Sequence, residues 1–572
     1  MNMQDTAMPA EAPAWRLFVP KSITVLREGY GARGFRDDAV AGLTVAIVAL
    51  PLAMALAIAS GATPDKGLLT AVIAGFLISA LGGSRFQIGG PTGAFVVVVF
   101  NIIHVHGYDG LILATLMAGL MLLVAGWARF GDWIKYIPDP VVTGFTSGIA
   151  VIIFSSQIGE LLGLSLATTP ADFLAKWAAF WHARGTFSPW AVGLGFSSLA
   201  LIILLRRFAP RLPAFLIAVI CASLVVYLFH LPVETIGSRF GGISASLPAP
   251  QWPEITLPRM VELLPGAFTI AFLAGVESLL SAMVADSMTG RRHRSNCELV
   301  AQGTANIASA LFGGMPATGA IARTATNIRS GARSPISGML HAIFILLFVL
   351  FLSPLAAFIP LTSLAAILVM VAWNMSEIDK FRGLMRSPPG DRMVLLLTFG
   401  LTVLADLTLA IETGVVLAAI LFMHRMSQLD TADSGVALWE HDRDDFIHRR
   451  ENGVYQRPSL PQGIELLRLR GPLFFGNASR LGDNLDAMAG RWPEVLILGL
   501  RDVPMIDATG VGALEQFLHR CHIHGVRVIV TGIQPQPRQV LKQMEIGAAS
   551  SPLQFADDLE TALKLAGDEG FA

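Results

Sequence analysis

The sequence predicts an α-helical membrane protein of fourteen transmembrane segments, arranged as two inverted seven-segment repeats and followed by a cytoplasmic α/β domain. Three observations carry this reading. Of the 572 residues, 53% are hydrophobic and 15% charged, with a mean hydropathy of +0.60; soluble domains carry roughly 25% charged residues. Two Gly/Pro/Thr-rich interruptions, Gln87 to Phe95 (QIGGPTGAF) and Gly313 to Ala320 (GGMPATGA), break apolar stretches at corresponding places in the two halves. After Arg425 the composition turns polar and then takes up an alternation of strand and helix patterns.

Apolar runs between Ala39 and Met423 divide into segments near 38–59, 65–82, 91–106, 109–129, 138–161, 188–206, 212–230, 261–288, 297–313, 321–331, 335–353, 361–374, 391–407 and 410–425. The short third and tenth segments directly follow the two interruptions. An odd number of spans per repeat inverts the second repeat relative to the first. The first ~35 residues are polar and hold no apolar signal core, which places the N-terminus in the cytoplasm. On that topology the inner loops carry Arg206-Arg207, Arg291-Arg292-His293-Arg294 and Lys380, Arg382 and Arg386, whereas the outer loops carry Lys66, Lys176, Arg184, Arg239 and Arg259. The asymmetry follows the positive-inside rule. The cluster at 291–294 reads as a topology determinant, with a lipid head-group site as the alternative.

The expected domains are a cytoplasmic segment 1–37, a membrane domain 38–426, a polar linker 427–461 and a soluble domain 462–566. The linker is rich in acids such as Asp430, Asp433 and Glu440. In the soluble part, 463–470, 494–500 and 526–531 read as strands. Asn477 can cap a helix with Leu481, Leu485 and Met488 on one face, and a second helix starts after Asp507-Ala508-Thr509-Gly510, with Thr509 as a candidate cap. Strands alternating with helices imply a mostly parallel sheet. An even number of spans keeps this domain cytoplasmic.

Several classes of function are excluded. A net charge of -1 gives no basic face for nucleic acid. Cys221, Cys297 and Cys521 show neither metal spacing nor a disulfide framework and read as free thiols. No nucleophile–base pair, metal cluster or phosphate loop is present, so the chain reads as a non-enzyme without a cofactor. His104, His106, Glu160, Asp406 and Glu412 fall near segment ends and read as interfacial.

Non-helical backbone at bilayer depth is tolerated only where protein or a water-filled cavity satisfies it, so the two breaks are expected to line a cavity. Half-helices beginning near Thr92 and Ile321 would aim their N-termini, each with roughly half a positive charge and free N–H groups, at one point. Gly93, Ala94, Gly319 and Ala320 let backbone approach a ligand, and Phe95 walls the space; tight helix packing is the alternative use of such small residues. Arg323, in the first turn of the tenth segment, is an intramembrane cation and so a candidate for supporting an anion, or for an ion pair with Glu277 of the eighth segment. Burial favours a carboxylate's neutral form and a nearby arginine its charged form, so Glu277 can carry a proton or hold a cation.

The residues also carry a resemblance. Asp38-Ala39-Val40-Ala41-Gly42-Leu43-Thr44-Val45-Ala46 followed by Pro51-Leu52-Ala53-Met54-Ala55 resembles the first-helix signature of the SulP (sulfate permease) anion transporters. Gly89-Gly90-Pro91-Thr92-Gly93-Ala94-Phe95 resembles that family's third segment, and 306–338 its ninth and tenth. The tail resembles the STAS domain, whose Asp-Ser-Ser-Gly loop corresponds to Asp507-Ala508-Thr509-Gly510; Ala508 removes the hydroxyl that anti-sigma-factor antagonists phosphorylate. Pro51-Leu52-Ala53, Gly93-Ala94-Phe95 and 284–290 look closest to the branch containing the cyanobacterial bicarbonate transporter. The resemblance implies a core domain (segments 1–4 and 8–11), a gate domain (5–7 and 12–14), a homodimer and an elevator-like movement of core against gate. In sodium-coupled bicarbonate members the position of Glu277 resembles an Asp, with a Thr one turn later and a hydroxyl near the start of segment ten. Here those positions are Glu277, Ser281 and Ile321. Ile321 offers no oxygen to a hard cation, which favours a proton as the coupling ion over sodium.

The expected function is therefore secondary-active transport of a small inorganic anion, of the sulfate or bicarbonate class, across the inner membrane, with both termini cytoplasmic. The substrate would meet Thr92, Gly93, Ala94, Phe95, Gly319, Ala320, Ile321 and Arg323; the coupling ion would meet Glu277 and Ser281. The bilayer, a second copy and a cytoplasmic protein at the STAS domain are the expected partners. The alternatives are a sodium-coupled bicarbonate or dicarboxylate symporter, a nucleobase carrier of the same fold, and a signalling protein acting through its STAS domain.

Overall fold

The apolar runs fold as helices, since an uninterrupted helix satisfies its own backbone groups in hydrocarbon. A computed structural model describes residues 14–132, 138–166, 170, 172–209, 212–244, 247–405, 407–433, 437–438, 448–449, 455–456, 463–474, 493–544 and 554–567. The chain forms two compact units, 1–418 and 419–572.

The helices are α1 (Lys21–Gly29), α2 (Ala32–Ala59), α3 (Pro64–Leu81), α4 (Val96–Trp127), α5 (Asp139–Leu162), α6 (Phe173–Ala183), α7 (Pro189–Phe208), α8 (Ala214–Phe229), α9 (Ile236–Phe240), α10 (Leu257–Thr289), α11 (Ser295–Leu311), α12 (Ile321–Arg329), α13 (Ile336–Ala356), α14 (Leu361–Met375), α15 (Ile378–Leu384), α16 (Pro389–Leu404) and α17 (Leu407–Asp433). The fourteen spanning segments are present; the third and fourth are the two arms of α4, and α1, α6, α9 and α15 are short connecting helices. Eight helical stretches among the described residues are long and apolar enough to cross a membrane on length and composition alone. Among the others, α8 is apolar but shorter, and α11 is polar because protein surrounds it. Thus α11 buries Asn296, Glu298, Gln302 and Asn306 inside the unit.

Three boundaries differ from the sequence reading. The third segment does not start as an α-helix at 91: a 3-10 turn, Gly93–Phe95, intervenes before α4 begins at Val96. The third and fourth segments are joined by a single non-helical residue, Gly107 (φ 74, ψ 177), rather than by a loop; glycine reaches positive φ without a Cβ penalty. Finally, α17 runs to Asp433, into the stretch whose acidic composition suggests a linker. A helix carries its own hydrogen bonds and can continue past the end of an apolar run.

Packing sorts the helices of the first unit. α11 lies against α4 and α3, α10 against α4, and α13 against α2 and α3. A second set joins α5 to α14 and α16, and α14 to α7. α2 touches both sets, through α8 and α14.

The second unit is built on a sheet of order β3-β6-β7-β8-β9, with β3 Ala437–Leu438, β6 Ile464–Arg470, β7 Val495–Asp502, β8 Arg527–Thr531 and β9 Gln554–Ala556; β4 (His448–Arg449) and β5 (Tyr455–Gln456) pair separately. β6 to β9 are parallel and β3 is antiparallel. Alternation along the strands makes two apolar layers. Leu467, Leu469, Leu496 and Leu498 face α18 (Ala508–Ile523) through Val511, Leu514 and Phe517. Ile464, Leu466, Val495 and Ile497 face α20 (Leu559–Gly567), while α19 (Pro535–Gln543) adds Leu541 to the first layer. The cap of α18 is Asp507, whose Oδ1 accepts from Gly510 N at 2.7 Å, and not Thr509, which lies inside the helix. A carboxylate at the N-cap reaches the first free N–H groups and also complements the helix dipole. The helix expected from Asn477 through Met488 lies outside the described residues, as does Asp406.

Candidate functional site

The two interruptions meet. β1 (Gly89–Gly90) and β2 (Thr318–Gly319) form a two-residue antiparallel ladder, Gly89 opposite Gly319 and Gly90 opposite Thr318. Ala320 N donates to Ile88 O at 2.9 Å and extends it. The chain leaves the ladder toward Thr92, which caps the 3-10 turn before α4, and toward Ala320, which caps α12. Because the strands are antiparallel, the two helices depart in opposite directions, each with its N-terminus at the ladder.

Side chains from the surrounding helices satisfy much of the broken backbone. Asn306 accepts from Ala317 N at 2.8 Å and donates to Ala317 O at 2.9 Å. Thr318 Oγ1 donates to Ala274 O, Met315 N donates to Thr70 Oγ1, and Ile88 N donates to Thr324 Oγ1. Asn327 Nδ2 donates to Phe86 O at 2.9 Å. These amides and hydroxyls are all buried. Sequence reasoning passed over them; the available signal was polar residues inside otherwise apolar segments, which are expensive in a membrane and so rarely idle.

Behind the ladder lies a second polar cluster. Gln87 Nε2 donates to Ser278 Oγ at 2.7 Å, as does Gln302 Nε2 at 2.8 Å. Ser278 Oγ donates to Glu298 Oε1, and Glu298 Oε2 accepts from Gly83 N and Ser84 N. Glu298 thus fastens the turn after α3 to α11. A counterpart at the start of α2 is Asp38, which accepts from Arg333 N, Ser334 N, Ser334 Oγ and the Tyr30 hydroxyl. Burial and the Asp38 carboxylate raise the Tyr30 phenol above its ordinary range.

Arg323, 3% exposed, donates from Nη2 to Pro91 O at 2.7 Å, while its Nε and Nη1 have no hydrogen-bond partner. The guanidinium lies against Gly90 (φ 150), where an added Cβ would stand 2.5 Å from Nη1, so a side chain there would strain the backbone and displace the guanidinium. Glu277, half-buried, accepts from Thr92 Oγ1 at 2.8 Å. The ion pair with Glu277 that stood as the alternative role for Arg323 is not formed. Each side chain instead holds one of the adjacent break residues, Pro91 and Thr92, so the two opposite charges stay separate. Ser281 is fully buried and donates to Thr324 Oγ1 at 3.0 Å, tying α10 to α12.

Gly93, Ala94, Phe95 and Gly319 are buried, whereas Thr92 and Ala320 are half-buried and Ile321 and Ala322 exposed. The start of α12 therefore borders accessible space next to Thr92 and Glu277. Elsewhere, His104 is exposed and stacks on Phe100, Glu412 is exposed, and Glu160 pairs with Arg239 at 2.6 Å. Arg294 ties the cluster at 291–294 to the N-terminal segment, donating to Val19 O at 2.6 Å and to Thr24 Oγ1. Cys221 is exposed and Cys297 and Cys521 buried, all three free. No group of three metal-ligating side chains occurs among the described residues.

This arrangement offers an anion two helix N-termini, an arginine with unused donors, and a carboxylate within one residue of the contact point. Residues 35–398 match the sulfate permease family and 459–562 the STAS domain. A putative sulfate transporter of Bacillus subtilis, YvdB, is 42% identical over 515 residues, covering 90% of this chain and 94% of that protein. The solved transmembrane domain of a cyanobacterial bicarbonate transporter, BicA, is 31% identical with a TM-score of 0.61, over 67% of this chain and 98% of that one. The structure of SLC26A9 superposes with a TM-score of 0.83 over 97% of this chain and 93% of that one; at 17% identity it shows the fold alone. The chain belongs to the sulfate permease family and ends in a STAS domain.

Proposed function

We infer that the protein is a secondary-active transporter of a small inorganic anion of the sulfate or bicarbonate class, and not an enzyme. It would work in the inner membrane as a homodimer with both termini cytoplasmic. The observation that carries this reading is the separation of Arg323 from Glu277 at Pro91 and Thr92. An arginine neutralised by its own carboxylate would have little left for a substrate. Here Nε and Nη1 are buried without a protein partner, in a place where a charge-assisted bond to an anion would be strong. The names of YvdB and BicA support the anion class. The two packing sets, α2–α4 with α10–α13 and α5, α7, α14 with α16, support an elevator-like movement of one set against the other.

Coupling is assigned to Glu277 and to a proton. Ile321 presents a hydrocarbon side chain where a cation ligand would be needed, and the Ser281 hydroxyl is already committed to Thr324. What remains for sodium is the Glu277 carboxylate and Thr92 Oγ1, few oxygens for a hard cation. The test is isotope uptake of sulfate and of bicarbonate into proteoliposomes, with pH and sodium gradients imposed separately and choline replacing sodium. An inward proton gradient should drive uptake without sodium. Glu277→Gln should bind anion but lose gradient-driven accumulation. Uptake that requires sodium and ignores the pH gradient would defeat the proton assignment and leave a sodium-coupled symporter.

A further inference from the structure

A second cationic feature lies outside the ladder, on the outer side in the predicted topology. A cavity of about 270 Å³ is lined by Ala59, Val96, Phe100, Gln157, Glu160, Lys176 and Arg239 among others. Its walls come from both packing sets: α2 and α4 on one side, α5 on the other, with α6 and α9 closing it. The lining begins at Val96, the residue after the fully buried Phe95. The cavity therefore borders the start of α4, next to the 3-10 turn of the break.

Lys176 sits in this cavity in an unusual state. The residue is 4% exposed, yet no carboxylate lies within ion-pair reach of its ammonium among the described residues; its neighbour is the Phe100 ring, 5.5 Å to the centroid. Burial lowers its pKa from the ordinary lysine value. A lysine on an outer connecting helix could extend into water, and buried lysines are normally paired. The second cation, Arg239, is held by Glu160 at 2.6 Å and by Glu234. Both carboxylates are thus taken up by Arg239, and the Lys176 ammonium is the lining charge left without one. A buried ammonium without a carboxylate partner attracts an anion strongly in low dielectric.

We propose that Lys176, with Arg239 beside it, forms an outer capture site for a small inorganic oxyanion, distinct from the site at the ladder. The proposal rests on the reading of the chain as an anion carrier. The anion completes the buried charge of Lys176 in this site and passes to the ladder when the α2–α4 side moves past α5. Phe100, carried on α4, then leaves the ammonium, so capture and movement share one contact.

The test reads the site apart from transport. Ser156→Cys, in the cavity wall, is made with Cys221→Ser to remove the exposed native thiol. From outside it is labelled with a sulfonate-bearing methanethiosulfonate and with the trimethylammonium analogue. Lys176→Gln should lower the anionic-to-cationic rate ratio about tenfold, and external sulfate should slow labelling only where Lys176 is present. Lys176→Arg should restore both effects. In the native-cysteine protein, Lys176→Gln should raise the external KM for sulfate about tenfold. An unchanged labelling ratio together with an unchanged external KM would overturn the proposal, and the Lys176→Arg rescue separates it from misfolding. A ratio that shifts as stated in a protein that transports no anion would leave the capture site standing and sink the transport reading.

Discussion

Gly319→Ala is the most direct probe of the ladder. An ideal Cβ at Gly319 would fall 1.6 Å from Gln87 Nε2 and 2.5 Å from its Cδ. Ordinary contact is about 3.5 Å, so the amide must retreat by about 1.9 Å. Gln87 cannot simply swing aside, because its Nε2 donates to Ser278 Oγ at 2.7 Å and that hydroxyl donates to Glu298. Overpacking a core costs about 1–3 kcal/mol, and stranding a buried donor about 1–3 kcal/mol more. The expected destabilisation is therefore about 2–6 kcal/mol. The assay is the thermal midpoint of the detergent-solubilised protein, followed by the reactivity of the buried Cys297 thiol. Gly383→Ala, with nothing within 4 Å of the added carbon, is the control. The double variant Gly319→Ala with Gln87→Ala removes the obstacle and should recover part of the loss, so that the two substitutions are not additive. A Gly319→Ala protein as stable as the control, or strict additivity in the double variant, would refute the packing argument.

Two further outcomes follow from the same geometry. Arg323→Gln should weaken anion binding about ten- to a hundredfold, the loss of one charge-assisted bond, and Arg323→Lys should recover only part, because an ammonium cannot hold Pro91 O and present two further donors in a plane; isothermal titration with sulfate checks both, and full recovery by lysine would argue against the fork. Removing residues from 462 onward should leave the helical content of the first unit unchanged, since the second unit closes its own two apolar layers, while altering the transport rate or the oligomeric state. Circular dichroism, light scattering and uptake measure these, and a truncated protein identical to the full chain in rate and assembly would dismiss any coupling to the STAS domain.

The long periodic elements were legible because one force wrote them. Bilayer burial sets the length and composition of α2, α5, α10 and α13, so the apolar runs mark them within a few residues. The strands of the STAS domain were legible for the related reason that residues such as Leu466 and Leu467 must face opposite layers. What escaped was decided by single residues or by partners distant in sequence. Gly107 alone separates the arms of α4, and nothing in its neighbours distinguishes it from a loop glycine. The alternative of an Arg323–Glu277 pair, left open by the sequence, was undecidable there for a similar reason. Opposite charges in one apolar region suggest an ion pair, but Pro91 O and Thr92 Oγ1 compete for them, and only the meeting of the two breaks brings those groups within reach. Thr509 lost the cap to Asp507 because position within the turn, rather than residue type, decides which side chain reaches Gly510 N.

The polar groups of the first unit divide by task, and the division explains why so many are buried. Asn306, Thr318, Thr324, Asn327 and Thr70 spend their hydrogen bonds on broken backbone and on neighbouring side chains. Gln87, Ser278, Gln302 and Glu298 fasten α3, α10 and α11 behind the ladder. Amides and hydroxyls, with the Glu298 carboxylate, perform both tasks, so the charges at the ladder, Arg323 and Glu277, need not act as structural partners to each other. A carrier must hold an anion and then release it, and a site built only from tight charge pairs would do neither well. A rigid polar scaffold around two separated charges permits both: it would fix where an anion sits, while the strength of binding would rest on the few Arg323 donors left without a protein partner.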